Sequence, residues 1–157
     1  MAHPVVVEQS RAIPVAPAEA FAKTLPLPLP ELFPHWYGPI PPIKAVHDQV
    51  GEWATVDQTR TIALVGGGGM RETLTHVDPP NSFGYRLTDV KGAMAPLIDH
   101  VEGAWIFTPA GTGTKVTWRW TLHPKSALTA PALPVFARLW RGYARQALAT
   151  LSDHLVG

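Results

Sequence analysis

PVFARLWRGYARQALATLSDHLV, Pro134–Val156, is the stretch whose reading decides the fold. On a 3.6-residue wheel Phe136, Trp140, Tyr143, Ala144, Ala147, Leu148, Leu151 and Leu155 fall on one side, with Arg138 and Arg145 opposite and Arg141 on the flank. The pattern predicts one long amphipathic helix, and it comes last, after a series of short segments with sheet periodicity. An apolar stripe needs an apolar surface to cover it, so the order predicts a sheet gripping a helix. One helix cannot fill a wide curved sheet, and the space left between them is where function is expected.

Working back from the helix, Lys115 to His123 alternates cleanly. Val116, Trp118, Trp120 and Leu122 share one face while Lys115, Thr117, Arg119 and Thr121 share the other, so the tryptophan face is expected inside. Ile98 to Phe107 reads as the strand before it, bringing Trp105 and Phe107 to the same interior, with Pro109 to Thr114 as the turn. Ser82 to Val90 follows the turn Asp78-Pro79-Pro80-Asn81, and Lys91 to Pro96 is a loop. Asp57 to Val65 reads as a strand, and Gly66-Gly67-Gly68-Gly69 offers positive-φ freedom between Thr59–Val65 and Met70–Val77 and predicts an antiparallel hairpin. A phosphate-cradling loop is the competing reading of four glycines, but neither a Lys-Ser/Thr pair nor a helix follows. Pro41 to Val50 is a further strand, joined through Gly51-Glu52-Trp53. At the amino end His3 to Ile13 reads as a strand and Ala18 to Lys23 as a short helix. Leu25-Pro26-Leu27-Pro28-Leu29-Pro30 excludes a regular helix or a central strand, because proline removes backbone donors. The run is apolar enough to lie on the core as an ordered loop rather than to act as a disordered tether, and Glu31 to Tyr37 adds at most one helical turn.

The fold expected is therefore α+β: a curved antiparallel sheet of about seven strands wrapped around a long C-terminal helix, with two short helices between the first two strands. The 157 residues and 17.0 kDa fit one domain over 1–157, large enough to bury roughly 68–70% of the unfolded surface. A net charge of +1 without any Lys/Arg block argues against a nucleic-acid partner. The absence of cysteine removes thiolate nucleophiles and zinc ribbons. No run approaches the ~18 apolar residues of a membrane span, and Met1 to Ser10 lacks the features of a signal peptide, so a cytoplasmic protein, monomer or homodimer, is expected.

The element order, with Ile13 to Phe21, the turn Glu72 to Pro80, the pair Gly103–Pro109 and Gly113–Trp118, and the closing helix, resembles the helix-grip fold of the START/Bet v 1-like (SRPBCC) superfamily. The likeness is to its polyketide cyclase/dehydrase-like branch and covers nearly the whole chain. The resemblance implies a cavity for a hydrophobic ligand and no particular cofactor.

Strand parity then places side chains. Ile62, Leu64, Met70, Leu74, Tyr85, Leu87, Trp105, Trp118 and Trp120 are expected to face the cavity, with Phe136 and Trp140 from the helix as the opposite wall. The same parity carries Arg60, Glu72 and Asp89 inward, where a charge is costly unless paired or functional. With Ile62 opposite Glu72, Arg60 is a diagonal neighbour within ion-pairing reach. The pair is either structural or, with the Tyr85 hydroxyl, a polar anchor for a ligand carboxylate or carbonyl. Asp89 is expected near the cavity mouth, as a solvated strand-end residue or a general base. His35, Trp36, Tyr37 and Met94 form the expected entrance, where simple loop packing is the other reading. None of the seven histidines pairs at the spacing of a zinc helix, and His76, His100 and His123 fall on strand ends or outward parities, so no metal is expected. With no Ser-His-Asp order, nucleotide fingerprint or paired catalytic carboxylates, the function expected is binding of a small lipid- or polyketide-like molecule. An aromatase/cyclase folding a poly-ketone chain with Arg60, Glu72, Tyr85 or Asp89, and a protein-docking module using the outer face of the last helix, are the alternatives.

Overall fold

Among the described residues, alternation of apolar and polar side chains resolves into seven strands: β1 (Val5–Ile13), β2 (Ile43–His47), β3 (Thr59–Leu64), β4 (Gly69–Asp78), β5 (Ser82–Lys91), β6 (Ile98–Ala110) and β7 (Gly113–Pro124). The helices are α1 (Pro17–Thr24), α2 (Leu29–Leu32) and α3 (Leu133–Val156). This computed structural model describes residues 3–157; Met1 and Ala2, and with them part of the expected span 1–157 and of the signal-peptide reading, lie outside the described residues. The strands form one antiparallel sheet in the order β1-β7-β6-β5-β4-β3-β2. The fold expected from the sequence, a helix grip, is what the chain adopts.

Helix α3 keeps the face read from its sequence. Phe136, Trp140, Tyr143, Ala144, Ala147, Leu148, Leu151 and Leu155 are buried, while Arg138, Arg141 and Arg145 are exposed on its outer side. Gly142, buried mid-helix where glycine costs about 1 kcal/mol relative to alanine, lies directly under the Tyr37 ring, and a Cβ there would collide with it. The proline-rich run follows the core: Leu25, Leu27 and Leu29 are half-buried while Pro26 and Pro28 face out. Pro30 falls in the first turn of α2, where the missing N–H is not needed.

Two expectations are corrected. The β3–β4 hairpin pairs Ile62 with Met70 and Arg60 directly with Glu72, two residues away from the expected register. Gly69 is the cause: it pairs with Ala63 as the first strand residue, leaving Gly66 and Gly67 at positive φ to make a tighter turn. A shift by two preserves parity, so both charges still face inward. Asp89 does not. Gly69 pairs with Lys91 but Arg71 with Thr88, so β5 carries one extra residue there, and Asp89, at φ 51°, turns into solvent.

Candidate functional site

The concave side of the sheet is largely filled by rings. Trp118 lies flat against Trp105 (5.2 Å, 11°), 4.6 Å from the Trp140 ring, 5.0 Å from Phe33 and 5.6 Å from Trp120. Phe33 in turn stacks on Tyr143 at 5.6 Å. Three spaces remain. The widest, about 490 Å³, opens between the Trp36–Pro41 segment, the β3–β4 turn, the Lys91–Leu97 loop and the start of α3, with Leu64, Met94, Phe136 and Leu139 among its walls. A middle space of about 50 Å³ shares Leu64, Met94 and Phe136 with this mouth and adds Met70, Trp118, Trp120, Trp140 and Tyr143. An inner chamber of about 50 Å³ shares Trp118 and Phe33 with the middle space and is bounded by Arg60, Ile62, Glu72, Tyr85, Leu87 and Trp105. Common walls thus set the three in a row, a candidate path that narrows from an apolar mouth to a far end lined by the Arg60–Glu72 pair together with the half-buried Leu25, Leu27 and Leu29.

The inner chamber has its polar groups locked together. Arg60 Nε donates to Glu72 Oε1 at 2.7 Å, its Nη1 donates to Gln49 Oε1 at 3.2 Å, and its guanidinium lies 3.9 Å over the Trp53 ring. Arg60 and Glu72 are only 5% and 3% exposed. Burial pushes the Glu72 carboxyl above its ordinary value, against the attraction of Arg60. Trp53, read from the sequence only as a joint between strands, is fully buried, because Gln58 organises its loop. Gln58 Nε2 donates to the Val50 and Glu52 carbonyls and Gln58 Oε1 accepts from the Ala54 and Thr55 amides. Nothing in strand periodicity marks such a loop residue as core.

Tyr85 is the other polar member. Its hydroxyl accepts from Trp118 Nε1 and Trp120 Nε1, both at 2.8 Å, and its ring occupies the room left by Gly103 on the neighbouring strand, where a Cβ would strike it. An oxygen that accepts twice still has one proton to donate. Burial, then the Glu72 charge, hold this phenol far above its ordinary value of 10.0, and burial alone does the same for Tyr143, whose hydroxyl donates to the Pro41 carbonyl at 3.2 Å. The linkage is definite in sign. Above pH ~10 unfolded tyrosines lose their protons while these two keep theirs in the folded state, so stability falls as pH rises. The expected slope approaches about 1.4 kcal/mol per pH unit for each residue, and urea titrations between neutral pH and pH 11 check it, with Tyr85→Phe removing one share.

Of the other expected residues, Leu74 is fully buried but is not among those lining the path. Trp36 and Met94 border the mouth. Tyr37 instead packs on Gly142, held by paired backbone bonds with Ile40, and His35 lies off the mouth in a crevice beside Tyr143 and Ala147, so the expected entrance is corrected for these two. A further group was not legible in the sequence. Trp140 is 1% exposed and its indole N–H has no hydrogen-bond partner among the described residues. Outward parity of His100 and His123 is observed, yet cross-strand pairing brings them together with Glu102. Helical ligand spacing carries no trace of a set assembled across two strands.

Residues 4–156 match the family described as polyketide cyclase/dehydrase and lipid transport. Among solved structures the chain is similar to a norcoclaurine synthase point mutant from Thalictrum in complex with a transition-state analogue (TM-score 0.74, 13% identity, 99% of this chain and 96% of that one). It is also similar to ginseng major latex-like protein 151 from Panax ginseng (TM-score 0.72, 10% identity, 97% of each chain) and to Ara h 8.0201 (TM-score 0.68, 15% identity, 98% of each). At these identities the likeness is one of fold. A search among curated proteins finds no match.

Proposed function

Because the chain belongs to the polyketide cyclase/dehydrase and lipid transport family of the START/Bet v 1-like superfamily, we propose that it binds a small, mainly apolar molecule carrying an acceptor oxygen, in the tapering path between sheet and α3. The observation that carries this reading is the indole N–H of Trp140, buried without a partner among the described residues on the wall of the middle space. A buried donor left unpaired costs about 1–3 kcal/mol, which a ligand carbonyl, hydroxyl or ether would recover. A mouth of about 490 Å³ is within the range of small-molecule sites, and its walls are chiefly Leu, Ile, Val, Pro and Met. Ligand bodies of lipid or polyketide type fit such walls; the charged pair at the far end is satisfied by its own partners and leaves Tyr85 as the group with a proton to offer.

Titration with the uncharged probe N-phenyl-1-naphthylamine tests the reading. One saturable site is expected, quenching tryptophan emission, with affinity reduced at least about tenfold by Met94→Arg or Val135→Arg at the mouth. Undiminished binding in both folded variants would overturn it. Native mass spectrometry of freshly purified protein would report a retained natural ligand. The second reading, cyclisation of a poly-ketone chain, draws on Tyr85, since a buried phenol kept protonated is suited to polarise a ketone oxygen. It requires a retained ligand with several carbonyls and turnover lost in Tyr85→Phe, whereas carriage of an apolar ligand requires neither.

A further inference from the structure

The outer face of the sheet, away from the tapering path, gathers a second set of side chains. His100 and Glu102 are two apart on β6 and so project to the same face, and His123 on β7 is the register partner of His100. An irregularity in the β6–β7 pairing between Ile98 and His100 precedes the set. The two imidazoles stack at 4.0 Å with an interplanar angle of 12°. His123 Nε2 and Glu102 Oε1 are 2.7 Å apart, and one ligating atom from each of His100, Glu102 and His123 lies within 4.8 Å of the other two. An ion bonded at about 2.0–2.2 Å to three tetrahedral ligands sets those atoms roughly 3.4 Å apart, which small rotations of half-exposed side chains reach from here. His100 Nδ1 is 2.8 Å from Asp99 Oδ2, so its Nε2 is left free while the carboxylate fixes the ring, the arrangement in which metal-bound histidines are held by an outer acid.

We propose that His100, Glu102 and His123 form a surface site for a divalent transition-metal ion of the zinc type, with Asp99 orienting His100. Two imidazole nitrogens select against magnesium and calcium, which take oxygen ligands, and the absence of sulfur selects against copper(I). Three protein ligands leave a fourth position open to water or to a donor from another molecule. The carboxylates of Glu102 and Asp99 together balance the two positive charges of the ion.

The test uses the tag-free 157-residue protein, stripped with chelator, titrated calorimetrically with zinc chloride and spectroscopically with cobalt(II). One equivalent of zinc is expected, with visible cobalt absorption of tetrahedral intensity and a melting temperature raised by saturating zinc. His100→Gln and His123→Gln are each expected to lower zinc affinity at least about tenfold, and Asp99→Asn about tenfold through its effect on His100. If the double histidine variant melts early, Glu102→Gln reads the same site from another ligand. Absence of one-equivalent binding in the wild-type protein, or its survival unchanged in Glu102→Gln and the double histidine variant, would overturn the assignment.

Discussion

Trp118→Ala is expected to destabilise the protein by about 3–5 kcal/mol, the range for deleting a large aromatic residue from a packed core. The ring is 2% exposed and touches the rings of Phe33, Trp105, Trp120 and Trp140 at once. Its N–H is one of the two that the Tyr85 oxygen accepts. The loss therefore has an apolar part, from the void, and a polar part, from Tyr85 left with a single donor. Trp118→Phe separates them, keeping most of the stacking while removing the hydrogen bond, and is expected to cost about 1–2 kcal/mol beyond the missing ring area. Urea unfolding with an unchanged m-value measures both. A loss below 1 kcal/mol for Trp118→Ala would mean that the ring lines a space the core does not need filled.

The Arg60–Glu72 pair gives the second large effect. Removing either partner alone strands a buried charge and is expected to cost about 3–5 kcal/mol, whereas Arg60→Met with Glu72→Leu is expected to recover most of that, because neither charge then needs solvation. Burial already favours the protonated Glu72 carboxyl, so in Arg60→Met the penalty should shrink as pH falls and Glu72 takes up its proton. If Arg60 were instead an anchor for a ligand acid or ketone, Arg60→Met would leave melting of the ligand-free protein unchanged. It would then abolish only the thermal shift given by an acidic ligand. A double-mutant cycle with and without such a ligand decides between the two.

What the sequence made legible was periodic. The stripe of α3, the alternation of β7 and the glycine-rich hairpin each repeat a signal over enough residues that the face and the partner follow. What it hid depended on single residues or on sums. One extra residue at Asp89 reverses parity locally without altering composition. Whether Gly69 belongs to the turn or to the strand moved the Arg60–Glu72 register by two. Trp53 is buried by Gln58 bonding its own loop, a tertiary event with no periodic trace. Parity placed Trp105, Trp118 and Trp120 inside, but it does not add volumes. That these rings with Trp140 leave only narrow spaces behind a wide mouth follows from how they stack, as does the unpartnered indole N–H of Trp140.

The strand order carries a consequence for how the chain is closed. From β2 to β7 every pairing joins neighbours in sequence, so five pairings in a row, β2–β3 through β6–β7, are local hairpins or near-hairpins whose loops cost little entropy to form. Only β1–β7 is distant, with Val5 meeting Leu122 across most of the chain, and β1 is also the strand against which α3 packs most extensively. The entropy of ring closure is thus concentrated in one seam. Unzipping that seam alone would bare the edge of β7 and loosen the helix while leaving the ladder of hairpins paired. No residue of β1 is among the walls of the three spaces, so such a loosening would start in the packed layer between sheet and helix and not at the mouth.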